Sequence, residues 1–201
     1  MEEQRRHPRI RFGHPPPVQI GYGGRTFTGD LINLSLSGLM LRTEMELAVG
    51  RSFGCEFSLF NSPKIDVPAE VVSCQGNIYG ARFQSGPLNA ILIEAAMEAA
   101  MASGEASVVT IERDGVLKVL TVRGGLNGGL RNDFRYGLEK VGVDELNTEG
   151  VTLVDREGVA LCCFAVDKYH LHLGKVSPSF EKAWLAAHKH PERLGHAVFW
   201  D

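Results

Sequence analysis

Residues 33–42 read NLSLSGLMLR, and this stretch decides the fold of the first half of the chain. Asparagine, serine and glycine at positions 33, 35 and 38 form an NxSxxG pattern, and such residues are typical of a tight turn. The stretches on either side, RTFTGDLIN at 25–33 and GLMLRT at 38–43, carry the alternation and the β-branched residues of strands. The pattern therefore predicts two strands joined by a short turn.

Four further β-rich stretches surround this pair and are separated by glycine, asparagine or proline. They read VQIGY at 18–22, FGCEFSLF at 53–60, DVPAEVVSC at 66–74 and IYGARF at 78–83. Six short strands within about 70 residues are typical of a small antiparallel barrel or sandwich. The first half of the chain is therefore expected to be all-β.

The composition excludes several classes of protein. With 201 residues, of which 44% are hydrophobic and 22% charged, the chain has ordinary globular usage and is neither disordered nor a coiled coil. It has no apolar run of the ~20 residues that a membrane span needs, and its start, MEEQRRHPRI, lacks the apolar region of a secretory signal. We therefore expect a cytoplasmic protein. Because no motif of an enzyme, a metal site or a cofactor site is present, we expect no catalysis, metal or cofactor.

An arginine-rich segment precedes the first strand. Arg5, Arg6 and Arg9 lie in the sequence RRHPR, and Arg5 and Arg9 have RxxxR spacing. Guanidinium groups bind phosphate through paired hydrogen bonds and also suit the O6/N7 edge of guanine. Because the net charge of the chain is -3, this segment favours a small anionic ligand over a long nucleic acid. The alternatives are a solvated run of charge here and an ordinary β-turn at NxSxxG.

The side chains of the turn complement those arginines. Asn33 and Ser35 can donate or accept hydrogen bonds, and Gly38 allows a positive φ or a close backbone approach. An RxxxR segment, an NxSxxG turn and a closing strand YGARF at 79–83 together resemble the PilZ domain, a bacterial receptor module for cyclic di-GMP, over residues 5–84. The resemblance implies a six-stranded barrel that binds this dinucleotide without enzymatic activity. The ligand-binding residues that it implies are Arg5, Arg6, Arg9, Asn33, Ser35 and Gly38.

From residue 87 onward the pattern changes to helices that alternate with strands. The stretch PLNAILIEAAMEAAMASG predicts a helix ending near Gly104. Its expected core face carries Leu88, Ile91, Leu92, Ala95 and Ala99. Beyond it, SVVTIER and VLKVLTVRG predict a hairpin that turns at Asp114-Gly115, followed by helices and strands in alternation. We therefore predict a barrel over residues 1–87, a linker helix over 88–104 and an α/β domain over 105–201.

The α/β half resembles a STAS domain over residues 107–190. The stretches that carry this resemblance are LTVRGGLN at 120–127, GVTLVDREG at 150–158 and LHLGK at 171–175. STAS domains carry two serines after a buried strand, one of which can be phosphorylated, whereas Arg156 and Glu157 stand there in this chain. The resemblance implies a domain that binds a protein partner or a second copy of the chain. The alternative is a generic α/β sandwich.

The predicted fold class is therefore a six-stranded all-β PilZ-type barrel followed by an α/β STAS-like domain. The predicted function is a bacterial cyclic di-GMP effector that signals to an unidentified protein partner through its second domain. The main alternative is an interaction scaffold that does not bind the ligand. Binding of RNA or DNA is disfavoured by the net charge, and a phosphoregulated antagonist of an anti-sigma factor is disfavoured by Arg156 and Glu157.

Overall fold

A computed structural model describes residues 7–84 and 86–189 of the chain. The chain divides into two compact units, residues 1–100 and residues 101–201. In the part of the chain that is described, no helix is long and apolar enough to cross a lipid bilayer. The finer division made from the sequence, with a separate linker helix over 88–104, stays a prediction.

The first unit contains seven strands, six of which form a closed antiparallel barrel. The strands are β1 (Ile10–Phe12), β2 (Pro17–Tyr22), β3 (Arg25–Ser35), β4 (Gly38–Arg42), β5 (Ser52–Phe57), β6 (Ile65–Gln75) and β7 (Ile78–Phe83). Around the barrel, neighbouring strands pair in the order β3-β2-β5-β6-β7-β4, and β4 pairs with β3 to complete the ring. The predicted six-stranded first half is thereby confirmed, with strand ends that differ by up to three residues.

The barrel forms because every second residue of its strands is apolar and lies inside. In β5, the buried residues Phe53, Cys55 and Phe57 alternate with more exposed neighbours. Ile65 and Val67 of β6 continue this pattern on the paired strand. Burial of one large apolar side chain stabilises a fold by about 1.5–3 kcal/mol. The alternation therefore fixes which face of each strand points inward.

Strand β1 extends the sheet beside β3 and has no counterpart in the prediction from sequence. It pairs antiparallel with the second half of β3, where Ile10 lies opposite Leu34 and Arg11 opposite Asn33. β2 pairs with the first half of β3 and reaches only as far as Asp30. β1 thus occupies the edge of β3 that β2 leaves free. A strand of three residues is too short to show a period in the sequence.

Helix α1 (Pro87–Ala102) lies where the sequence predicts it, but it buries a different face. The buried residues are Ile93, Ala96, Met97 and Ala100. Of the predicted core face, Leu88 is 70% exposed and Ile91 is 62% exposed, so that part of the prediction is wrong. The helix is apolar on almost every side. Its sequence therefore lacks the polar stripe, repeating every 3.6 residues, that would identify the exposed face.

The second unit is a four-stranded mixed sheet with helical connections. Its strands β8 (Ala106–Asp114), β9 (Leu117–Leu126), β10 (Glu145–Val154) and β11 (His172–Val176) lie side by side in this order. β8 and β9 form the predicted hairpin at Asp114-Gly115, whereas β10 runs parallel to both β9 and β11. The α-helices of this unit among the described residues are α2 (Arg131–Arg135), which a π-helical segment (Tyr136–Val141) continues, α3 (Arg156–Tyr169) and α4 (Pro178–Lys189). The predicted mixed α/β second half is confirmed.

Side-chain caps begin the helical segments of this unit. Asn127 Oδ1 accepts a hydrogen bond from Gly129 N at 2.9 Å, where a short 3₁₀ turn leads into α2. Asp155 Oδ1 accepts one from Gly158 N at 2.7 Å at the start of α3. Ser177 Oγ accepts one from Phe180 N at 3.1 Å at the start of α4, as the Ser-Pro sequence predicts. The apolar segment HAVFW at 196–200 lies outside the described residues.

Candidate functional site

The NxSxxG residues lie at one end of the hairpin formed by β3 and β4. Asn33 and Ser35 belong to β3, Gly38 begins β4, and only two residues connect the strands. Ser35 pairs with Gly38 across the hairpin, and its hydroxyl donates a hydrogen bond to the carbonyl oxygen of Gly38 at 3.1 Å. Ser35 is 2% exposed and also lies 3.3 Å from the hydroxyl of Ser37. The turn is therefore fixed by the side chain of its own motif.

Gly38 is needed for a close backbone approach. A Cβ at this position would overlap the carbonyl oxygen of Ala81 in β7 and would lie 3.1 Å from the Cα of Arg82. The φ of Gly38 is not positive, so only the close backbone approach, and not a positive φ, explains this glycine. The absence of a side chain lets β4 and β7 pair closely beside the turn.

Asn33 carries an unused hydrogen-bond acceptor. Its Nδ2 donates only a weak contact to the sulfur of Met40 at 3.5 Å, while its buried Oδ1 has no hydrogen-bond partner among the described residues. A buried polar atom without a partner costs about 1–3 kcal/mol. An unpaired acceptor beside the turn indicates a place where a hydrogen-bond donor of another molecule could bind.

The arginine segment runs into β1, which brings its end alongside the turn. Arg5 and Arg6 lie outside the described residues. Arg9 is exposed and immediately precedes β1, whose pairing places Arg11 opposite Asn33. Continuing this antiparallel register by one residue places Arg9 across from Ser35. The structure therefore brings the second arginine of RxxxR to the register position beside the motif serine.

Arg11 is a candidate residue that the sequence reasoning missed. It is exposed, and it lies opposite Asn33, so both side chains belong to the same face of the sheet. The signal for it is the spacing of Arg9 and Arg11, since residues two apart on a strand share one face. The spacing of Arg9 and Arg11 indicates a shared face only once β1 is known to be a strand.

The other side of the turn is occupied by β7. Arg82 lies directly opposite Gly38, and Glu70 of β6 lies opposite Arg82. The Nη2 of Arg82 is 3.4 Å from the Oε2 of Glu70, which also accepts a hydrogen bond from Gln84 Nε2 at 3.1 Å. The hydroxyl of Ser52 in turn donates to Gln84 Oε1 at 3.1 Å. A polar network therefore continues the outer face of the barrel beyond Gly38.

Outside this face, Thr148 Oγ1 is the other buried side-chain atom that has no hydrogen-bond partner among the described residues. No group of three or more histidine, cysteine, aspartate or glutamate side chains in residues 7–84 and 86–189 is placed to hold a metal ion. Burial, and to a smaller extent Asp66, raises the pKa of Cys55 to about 12, so this thiol acts as a core side chain. The turn between β3 and β4, with the strands on either side, is therefore the candidate site.

Comparison with known proteins identifies a family for the first unit. A family model described as PilZ domain matches residues 3–99. The solved PilZ domain of YcgR from Escherichia coli with c-di-GMP is 22% identical and covers 48% of this chain and 92% of that chain, with a TM-score of 0.42. The PilZ domain of CeSA from a cellulose-synthesizing bacterium is 16% identical and covers 42% of this chain and 91% of that chain, with a TM-score of 0.36. PlzA of Borreliella burgdorferi in complex with c-di-GMP is 16% identical and covers 46% and 40%, with a TM-score of 0.36.

No curated protein matches the chain. The family model ends at residue 99, so the STAS-like interpretation of the second unit stays a prediction. The six-stranded ring and the arginine and NxSxxG segments all fall within the matched residues. Residues 3–99 of the chain therefore match the PilZ domain family, whose members are non-enzymatic receptors.

Proposed function

We propose that this protein is a cyclic di-GMP receptor whose ligand lies on the outer face of the barrel, across the turn between β3 and β4. The observation that carries the proposal is the buried Oδ1 of Asn33, which has no hydrogen-bond partner among the described residues. Asn33 lies directly opposite Arg11 on the neighbouring strand. An unused acceptor next to permanently charged donors suits a ligand that carries both N–H groups and phosphates. A guanine nucleotide has both.

The arginines supply the contacts to charge. Arg5, Arg6 and Arg9 would bind the phosphates and the O6/N7 edge of guanine. Each hydrogen bond to a charged group contributes about 1.5–3 kcal/mol. Four or five such bonds, reduced by the cost of ordering the segment, correspond to about 8 kcal/mol, which is micromolar affinity.

The turn supplies the opposite side of the site. The Oδ1 of Asn33 would accept a hydrogen bond from an N–H group of guanine, for instance its amino group. Ser35 holds the turn through Gly38, which has no side chain to keep a ligand away from the backbone. Guanine would be preferred to adenine because it presents an N–H donor to Asn33 and the acceptors O6 and N7 to an arginine.

The second unit would carry the response to a protein partner as a STAS-like domain. Its strand order supports this proposal, because an antiparallel hairpin is followed by two parallel strands reached through helical connections. Arg156 and Glu157 stand at the first turn of α3, where the resemblance would place serines. The response would therefore depend on ligand binding in the barrel and not on phosphorylation of that turn.

Isothermal titration of cyclic di-GMP into the full chain tests the proposal. The wild-type chain should bind at micromolar or lower concentration, and an Arg5→Ala/Arg9→Ala double variant should show no heat. Arg25→Ala is the matched control, because Arg25 is an exposed arginine at the opposite end of β3 from Ser35. This control should bind like the wild type.

Cyclic di-AMP in the same titration tests base recognition, and it should bind at least tenfold more weakly. Absence of binding by the wild-type chain would refute the receptor function and leave the interaction scaffold as the better interpretation. Equal loss of binding in the Arg25 control would show that net charge, and not the arginine segment, carries the effect.

A further inference from the structure

We propose that Arg82 is an additional ligand-binding arginine, which reaches the ligand from the β7 side of the turn and leaves Glu70 when the ligand binds. This inference rests on the proposed function, because it places Arg82 at the site of the same dinucleotide. Arg82 belongs neither to the RxxxR segment nor to the NxSxxG turn.

The strand register places Arg82 in line with the motif. Ser35 pairs with Gly38, Gly38 pairs with Arg82, and Arg82 pairs with Glu70. Residues paired in this way direct their side chains to one face of an antiparallel sheet. That face is the outside of the barrel, because the alternate row formed by Leu34, Leu39 and Ala81 is buried. Arg9, at the register position across from Ser35, extends this row at its other end.

The residue that separates Arg82 from the turn is a glycine. Gly38 lies between Ser35 and Arg82 in the row, and neighbouring strands are about 4.8 Å apart. Gly38 has no side chain that could stand between the Arg82 guanidinium and the turn. The long arginine side chain can therefore extend over Gly38 towards Ser35.

The present contacts of Arg82 are weak enough to exchange. Its side chain is 64% exposed and meets Glu70 through one N–O contact of 3.4 Å, and exposed ion pairs of this kind stabilise a fold little. The Oε2 of Glu70 also accepts a hydrogen bond from Gln84. The carboxylate consequently keeps one hydrogen-bond donor after Arg82 has moved, so the exchange does not leave it without a partner.

The charge of the ligand favours the exchange. A cyclic dinucleotide carries two phosphates, and the described arginines Arg9 and Arg11 lie on the β1 side of the turn. Arg82 lies on the other side of the turn, three strands away from β1 in the sheet order β1-β3-β4-β7. Glu70 competes with the ligand for Arg82, since a carboxylate and a phosphate accept the same guanidinium hydrogen bonds.

Titration of cyclic di-GMP into three full-length variants tests this inference. Arg82→Gln, which keeps most of the side-chain length without the charge, should bind about tenfold more weakly, the change that corresponds to one charge-assisted hydrogen bond. Glu70→Gln should bind about threefold more tightly, because the competing carboxylate is gone. Arg42→Gln is the matched control: Arg42 is an exposed arginine of β4 that pairs with Asp30 at 3.9 Å, at the far end of the strand from Gly38. It should bind within twofold of the wild type.

The opposite effects of Arg82→Gln and Glu70→Gln on affinity distinguish a ligand-binding role of Arg82 from a purely structural one. If the Arg82–Glu70 pair only stabilises the barrel, both variants should bind more weakly and both should melt at a lower temperature. That result, or unchanged affinity of Arg82→Gln beside a wild type that binds and an Arg5→Ala/Arg9→Ala variant that does not, would overturn this inference and leave the proposed function intact. A wild-type chain that shows no binding would overturn both.

Discussion

Replacing Gly38 with alanine tests whether the glycine of NxSxxG is required by the barrel itself. A Cβ at Gly38 would overlap the carbonyl oxygen of Ala81 and would lie 3.1 Å from both the carbonyl carbon of Ala81 and the Cα of Arg82. These are backbone atoms of a paired strand, and they cannot turn aside as the end of a flexible side chain can. The substitution must therefore push β4 away from β7.

We expect Gly38→Ala to destabilise the first unit by about 2–3 kcal/mol. Forcing an extra methyl group into a packed contact costs about 1–3 kcal/mol. Separation of the two strands also weakens at least one backbone hydrogen bond, at about 1 kcal/mol. A change of 1 kcal/mol shifts the melting temperature of a domain of this size by about 4–8 °C. The melting temperature of the first unit should therefore fall by roughly 10–20 °C.

Scanning calorimetry of the full chain measures this shift, and hydrogen exchange locates it in β4 and β7. Gly21→Ala is the matched control, because Gly21 also lies in a barrel strand but the nearest atom to its added Cβ, the oxygen of Gly54, is 4.0 Å away. This control should melt at the wild-type temperature or slightly above it. If Gly38→Ala melts within about 2 °C of the control and exchanges no faster in these strands, the reasoning from the Ala81 contact is wrong.

Two further predictions concern other parts of the chain. Asp155→Ala removes the acceptor of the Gly158 amide and should destabilise the second unit by about 1 kcal/mol in a denaturant titration, whereas Asp155→Asn keeps an acceptor and should lose less. Equal losses would show that the cap is not the cause. In thiol labelling of the native chain at pH 8, the exposed Cys74 should react first, because burial and then a nearby aspartate raise the pKa of Cys163 to about 11 and that of Cys55 to about 12. Only the thiolate reacts, so labelling at Cys163 should accelerate about tenfold per pH unit above pH 8, and a flat profile there would contradict the raised pKa.

The sequence reveals most of the barrel because its information is local. Alternation within each stretch and the turn residues between stretches predict six strands and their inward faces. Caps are equally local, because Ser177 Oγ and Asn127 Oδ1 accept hydrogen bonds from backbone N–H groups only three and two residues further along the chain. The NxSxxG segment is found for the same reason, because its three residues lie within six positions of the chain.

What the sequence does not reveal depends on pairing between distant residues. Arg82 becomes a neighbour of Gly38 only through the register of β4 and β7. Arg11 becomes a neighbour of Asn33 only through β1, which is too short to show a period. The face of α1 was assigned wrongly because the helix offers too little contrast between polar and apolar sides.

The short pairing of β1 has a kinetic consequence for the site. β1 is paired with β3 at two residues, Ile10 and Arg11, whereas the ring of six strands closes without it. Arg11 lies opposite Asn33 in this pairing, so its position beside the motif is set by β1 and not by the ring. A ligand held by both Arg11 and the turn would add contacts across this pair, and its residence time would depend on how long β1 stays paired with β3.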